Sequence, residues 1–281
     1  MVALELGRQG FGTMRLPDQA PGDADRDPVA VIHAALDAGV TLLDTADAYQ
    51  TEPVVGRALR GRRDEAVLAT KFGLVWKHEV AGGYEARADP AYVREACEAS
   101  LRRLGVDAID LYYLHLRSET VPIEDTVGAM ADLVAQGKVR ALGLSNVTAD
   151  DLRRADSVHP IAALQEQWSV TERGIEDELL PAAAELGIAV VAHSPTAHGL
   201  LHGADGRDGD ALTALTKIGQ AYDATAGQVA LAWVHARQRQ HDVRVVPLPG
   251  TTSIDHLRAN VAAADLELSE DDLGRLDAIR G

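Results

Sequence analysis

The sequence predicts a (β/α)8 barrel, one domain over residues 1–281 in which eight parallel strands alternate with helices. Three observations carry this prediction. Eight short apolar runs alternate with longer amphipathic stretches. The runs are hydrophobic almost without a break, as strands covered on both faces by helices must be. A doubly wound sheet would need a glycine-rich turn joining its first strand to a helix. The nearest candidate, "GRQGFG" at 7–12, has its glycines in the wrong order, and no helix follows it directly.

The first strand is expected at 10–14. A helix follows at 27–39, opened by Asp27 as N-cap with Pro28 at the first helical position and stopped by Gly39. The second strand is "TLLDT" at 41–45, apolar and β-branched, and the third lies at 66–71. Residues 89–105 repeat the Asp-Pro start and glycine stop of a helix and lead to the fourth strand at 108–115. A helix at 122–138 precedes the fifth strand at 140–145, and the sixth is expected at 162–165. A helix at 175–187 leads to the seventh strand at 189–194. A helical pair at 211–223 and 225–238 precedes the eighth strand at 244–248, and a last helix is expected at 253–264. Two connections are longer and more polar than the rest: 77–89 after the third strand and 196–210 after the seventh. Both fall where barrel strands end, so both are candidates for lining a substrate mouth.

Composition narrows the function. The 43 acidic residues outnumber the 27 basic ones, giving a net charge of −16. Such a surface repels nucleic acid and anionic membranes. The one cysteine, Cys97, rules out an internal disulfide and suggests a reducing compartment. It sits in an apolar helical pattern and reads as a packed thiol. No apolar run is long enough to span a bilayer, and "MVALELGRQG" lacks a signal-peptide core, so a cytoplasmic location is expected.

Polar residues collect where the strands stop: Asp44, Lys71, His115, Ser145–Asn146, Gln165 and His193–Ser194, at six successive strand ends. In a barrel these ends converge on one mouth. Tyr49 lies just beyond the second strand. A phenol of pKa about 10 is a reluctant acid at neutral pH, and a nearby ammonium lowers that value. Lys71, one of only four lysines, could supply the ammonium, and Asp44 could hold it charged. His115 could donate a hydrogen bond to a substrate oxygen. Such a site protonates a carbonyl oxygen while hydride reaches the carbon. None of the four side chains can donate hydride, so a cofactor is required. Asp44 and Lys71 alone would read better as a structural ion pair, and His115 alone as a core histidine. Asp47 reads as a solvated loop residue. Trp76 and Trp168 either line a pocket or pack beneath loops. His193, His198 and His202 lack the converging partners of a metal site, and none is assigned.

The stretches "GFGTM" (10–14), "AGVTLLDTADAY" (38–49), "LATKFG" (68–73), "SLRRLGVDAIDLYYLH" (100–115), "VPIEDTVGAMADLVAQGKVRALGLSN" (121–146), "GIAVVAHSP" (187–195) and "VVPLPGT" (245–251) resemble the aldo-keto reductase family over essentially the full chain. The resemblance implies a TIM barrel that binds NADPH in extended form, with NADH also open. It implies a tetrad of Asp44, Tyr49, Lys71 and His115, with Tyr49 as general acid. It implies cofactor contacts at Gly12, Thr13 and Met14. Ser145, Asn146 and Gln165 would hold the nicotinamide carboxamide, and His193 stands where relatives stack an aromatic ring. Ser194, Thr196, His198, Gly199 and Leu200 would line the pyrophosphate, although "TAHG" lacks the arginine usual there. Gly250, Thr251, Thr252, His256 and Asn260 would meet the adenine end, without the usual Lys or Arg for a 2′-phosphate. The expected reaction is reduction of a small aldehyde or ketone by a monomer or weak homo-oligomer. The alternative is a nicotinamide-binding sensor with slow turnover.

Overall fold

The computed structural model describes residues 4–16, 26–77, 83–202 and 209–279. Its strands are β1 (Gly10–Gly12), β2 (Leu42–Asp44), β3 (Val67–Phe72), a hairpin of β4 (Leu74–Trp76) and β5 (Tyr84–Ala86), then β6 (Ile109–Leu114), β7 (Val139–Ser145), β8 (Ile161–Gln167), β9 (Ala189–His193) and β10 (Val245–Leu248). Eight of them form one parallel sheet in the order β1-β2-β3-β6-β7-β8-β9-β10. All eight lie where the apolar runs placed them. The sheet wraps into a nearly closed barrel. At the seam the Gly12 amide donates to Pro249 O at 3.0 Å. A Cβ on Gly250 would lie 2.6 Å from Gly12 O, so glycine is what lets the two strand ends approach.

Leu42, Ala69, Leu111, Tyr113, Ala163, Val191, Val246 and Leu248 pack inside the cylinder. Side chains alternate along a strand, so a step of two stays on one face. Two residues on from Leu42, Ala69, Tyr113, Ala163 and Val191 stand Asp44, Lys71, His115, Gln165 and His193. The inward face that is apolar below thus turns polar at the rim. Gly143 makes room in this layer: a Cβ there would sit 2.4 Å from the Tyr113 ring. Gly143→Ala is expected to cost about 1–3 kcal/mol through overpacking, measurable by denaturant unfolding.

Around the barrel lie α1 (Pro28–Asp37), α2 (Glu52–Ala58), α3 (Pro90–Leu104), α4 (Ile123–Ala135), α5 (Ala149–Val158), α6 (Leu179–Leu186), α7 (Asp210–Ala221), α8 (Ala226–His241), α9 (Ile254–Ala262) and α10 (Glu270–Asp277). Asp27 caps α1 by accepting from the Val29 and Ala30 amides. Asp89 caps α3, which Gly105 ends in the left-handed conformation. Three helices go beyond the sequence expectation: α2, α5 and α10. Helix α2 has only seven residues. Its Glu52 is fully buried, satisfied by Thr70 Oγ1 at 2.7 Å and Arg103 Nε at 2.5 Å, partners far away in sequence. Helix α5 does carry a local signal, a capping box between Thr148 and Asp151.

The polar connection at 77–89 is partly structured, because β4 and β5 pair antiparallel with Trp76 opposite Tyr84. Residues 78–82 in that connection, and 203–208 in the one after β9, lie outside the described residues. Trp168 is fully buried, its indole N–H donating to Glu176 Oε1 at 2.9 Å, whereas Trp76 is 58% exposed.

Candidate active site

Asp44 ends β2 with both carboxylate oxygens occupied. Oδ1 accepts from the Lys71 ammonium, and Oδ2 accepts from Gln165 Nε2 at 2.8 Å. Its main-chain oxygen is held by the Thr13 amide and by Thr13 Oγ1, each at 2.9 Å. Thr13 is fully buried, and its hydroxyl also meets Thr51 Oγ1 at 3.2 Å, so it braces Asp44 from below. Lys71 is fully buried and also donates to Thr45 O at 2.9 Å. A 3-10 turn, Asp47–Tyr49, follows β2 and carries the phenol over this pair. The Lys71 Nζ lies 5.0 Å from the Tyr49 ring centroid. The Tyr49 hydroxyl meets His115 Nε2 at 3.3 Å, and the two rings are edge to face with centroids 5.4 Å apart. Asn146, left-handed at φ 54, donates its amide to His115 O at 2.8 Å and to Ser145 Oγ at 3.1 Å. The four tetrad side chains and Ser145, Asn146 and Gln165 are therefore brought together.

The electrostatics revise one expectation. Burial raises the Tyr49 pKa more than the Lys71 charge lowers it, so the net shift is upward. The ammonium acts in the expected direction, but loss of water outweighs it. The phenol accordingly stays protonated at neutral pH, the form that can give a proton. Burial also pulls Lys71 down, yet Asp44 and Tyr49 together more than reverse this and keep it an ammonium. Burial, Lys71 and His193 push His115 down to about 3, so its ring is neutral. Its Nδ1 is buried and has no partner among the described residues. An orphaned N–H is costlier than an orphaned acceptor, which assigns the proton to Nε2, on the Tyr49 side.

Burial likewise pushes His193 and His235 down to about 4. In the unfolded chain these imidazoles take up protons below 6.5, whereas the folded chain holds out to about 3 or 4. Between those limits the unfolded state binds more protons at these three histidines, so their contribution to stability is fullest above 6.5 and falls as pH descends through that window. Urea unfolding midpoints followed downward in pH should decline over that interval.

Asp47 departs from its expected solvated state. It is half-buried beneath the hairpin, whose Trp76 Nε1 donates to Ala48 O at 3.1 Å. Burial and then Glu52 push its carboxyl up to about 7.

The remaining cofactor candidates form an arc around the rim. The hydroxyl of Ser194 stands 3.2 Å from both His193 Nδ1 and His198 Nδ1. Ser194, Ala197, His198 and Gly199 are all left-handed, with φ of 50, 48, 58 and 95. Such strain collects at ligand clamps. Thr196 is buried, and the side chain of Leu200 lies outside the described residues. Sequence reasoning missed Arg15. Its Nη2 donates to His198 O at 2.9 Å, and its Nη1 would lie 3.8 Å from a Cβ on Gly199. The guanidinium thus reaches the loop whose own arginine is missing. The available signal was its place just after "GFGTM", since closing a barrel sets the first loop beside the last ones. Met14 is 48% exposed beside it. Gly12 and Gly250 meet at the seam, Thr251 Oγ1 accepts from the Ser253 amide at 3.2 Å ahead of α9, His256 is exposed, and Asn260 is buried.

Among the described residues no helix is long and apolar enough to cross a membrane. The aldo/keto reductase family model matches residues 8–280. An aldo/keto reductase from Klebsiella pneumoniae, solved with NADP and acetate, is 34% identical, with a TM-score of 0.80 over 97% of this chain and 90% of that one. A glycerol dehydrogenase from Gluconobacter oxydans is 28% identical, with a TM-score of 0.86 over 99% and 93%. An aldo-keto reductase from Bacillus halodurans in its holo form is 30% identical, with a TM-score of 0.81 over 98% and 94%.

Proposed function

The chain belongs to the aldo/keto reductase family, and from that premise we propose that it reduces a small aldehyde or ketone with Tyr49 as the proton donor. It is an NADP-dependent oxidoreductase. When bound, NADPH supplies the hydride. The observation that carries the reading is the Tyr49 oxygen, held 3.3 Å from His115 Nε2 on a turn above the buried Lys71 ammonium.

As the carbonyl carbon gains hydride, its oxygen becomes basic and takes the Tyr49 proton. The phenolate left behind is stabilised by Lys71, whose charge Asp44 fixes in place. Neutral His115 donates from Nε2 to the carbonyl oxygen and orients it. The residues present fit the cofactor: Arg15 brings a cation to the strained segment around His198. Ser145, Asn146 and Gln165 would face the carboxamide. His193 would stack on the ring, and Thr251, Thr252 and His256 would take the adenine end. Stopped-flow NADPH oxidation with a panel of aldehydes and ketones tests the reading. Saturable oxidation in excess aldehyde is expected. A protein that binds NADPH but oxidises it with none of them is a sensor, and the proposal fails.

Arg15→Ala should weaken NADPH by about tenfold, the scale of one charge-assisted hydrogen bond, with kcat much less affected. Fluorescence titration of NADPH checks this.

A further inference from the structure

The tetrad leaves the half-buried Asp47 unused. Asp47 opens the turn that ends at Tyr49, yet it lines a separate groove of about 320 Å3. Leu74, Val75 and Trp76 of the hairpin form one wall, and Tyr92, Ala96 and Ala99 of α3 form the other. Asp44, Tyr49, Lys71 and His115 take no part in it.

Three features define what would bind there. The walls are apolar and aromatic, and the Trp76 ring is fixed by its bond to Ala48 O. The charge balance is acidic. Among the described residues Arg103 is the one cation in the lining, and it is spent on buried Glu52 and on Ser100 Oγ at 3.2 Å. Asp47 and Glu95 remain. Finally, the half-buried Asp47 carboxyl takes a hydrogen bond from the Ala48 amide and keeps acceptor capacity for further donors.

We propose that this groove is a second ligand site, separate from the carbonyl site, that takes a small primary amine with a flat apolar body. The ammonium sits on Asp47 and the body lies between Trp76 and Tyr92. An ammonium offers three donors to the Asp47 carboxylate and gains further from an aromatic face. The volume suits a ligand at the small end of the usual range. The charged groups acting on Asp47 are Glu52 of α2, Arg103 of α3 and Lys71 of β3, with Glu95 of α3 sharing the groove. Because the Asp47 carboxyl titrates at about 7, amine binding strengthens as pH rises through that value.

Phenethylamine is the probe and tryptophan fluorescence the readout. Trp168 and Trp233 are fully buried, so Trp76 reports on the groove. At about pH 8 the signal should saturate. At about pH 6 affinity should fall about tenfold, following ionisation of the acid. Asp47→Asn should weaken the amine about tenfold while NADPH binds as before, which shows that the variant is folded. The neutral isostere 2-phenylethanol should bind at least about tenfold more weakly than the amine. The proposal is overturned by any of three results: no saturation at about pH 8, equal affinity in Asp47→Asn, or displacement of the amine by a carbonyl substrate.

Discussion

Tyr49→Phe should lower kcat by about 10²–10⁴-fold, the range expected for loss of a positioned general acid, while NADPH affinity stays near wild type. The substitution removes one oxygen. The ring keeps its edge-to-face contact with His115 and its place over the Lys71 ammonium, so the fold has no reason to change. Single-turnover NADPH oxidation separates the two effects, because binding is read before chemistry. Wild-type turnover in this variant would remove Tyr49 from the proposed mechanism.

Lys71→Met should damage both stability and activity. Lys71 is fully buried and its partner Asp44 is 2% exposed. Removing the ammonium leaves a carboxylate in the barrel with, among the described residues, only Gln165 Nε2 to answer it. Breaking a buried pair from one side typically costs about 3–5 kcal/mol. The double variant Lys71→Met with Asp44→Asn should recover much of that stability and none of the activity, since the phenolate would still lack its cation. Denaturant titration of the wild type and the single and double variants measures the first part, and kcat the second. If the double variant were no more stable than Lys71→Met, the charge left behind on Asp44 would not be the source of the loss.

Much of the fold was legible because its signals are local. Apolar runs marked the eight strands, and Asp-Pro starts with glycine stops marked α1 and α3. The polar rim was legible for the same reason, since Asp44, Lys71 and His115 each close an apolar run. What escaped was nonlocal. The short sequence of α2 hides that Glu52 is buried, because Thr70 and Arg103 come to it from other elements. Arg15 meets His198 only across the barrel's closing seam. The net upward shift of Tyr49 depends on how much water the surrounding fold removes, which no spacing of charges reveals. Asp47 was misread for a related reason: a hairpin from the next connection covers it.

Between β1 and β10 the described backbone contact is the bond from the Gly12 amide to Pro249 O, whereas β6 and β7 share five register pairs. That junction is the thinnest part of the cylinder wall and the natural place for the terminal quarters to part. A dinucleotide lying across it, touching Arg15 on one side and Thr251 on the other, would work as a stitch. Holoprotein would then resist proteolytic nicking near its ends in proportion to how firmly the nucleotide is held.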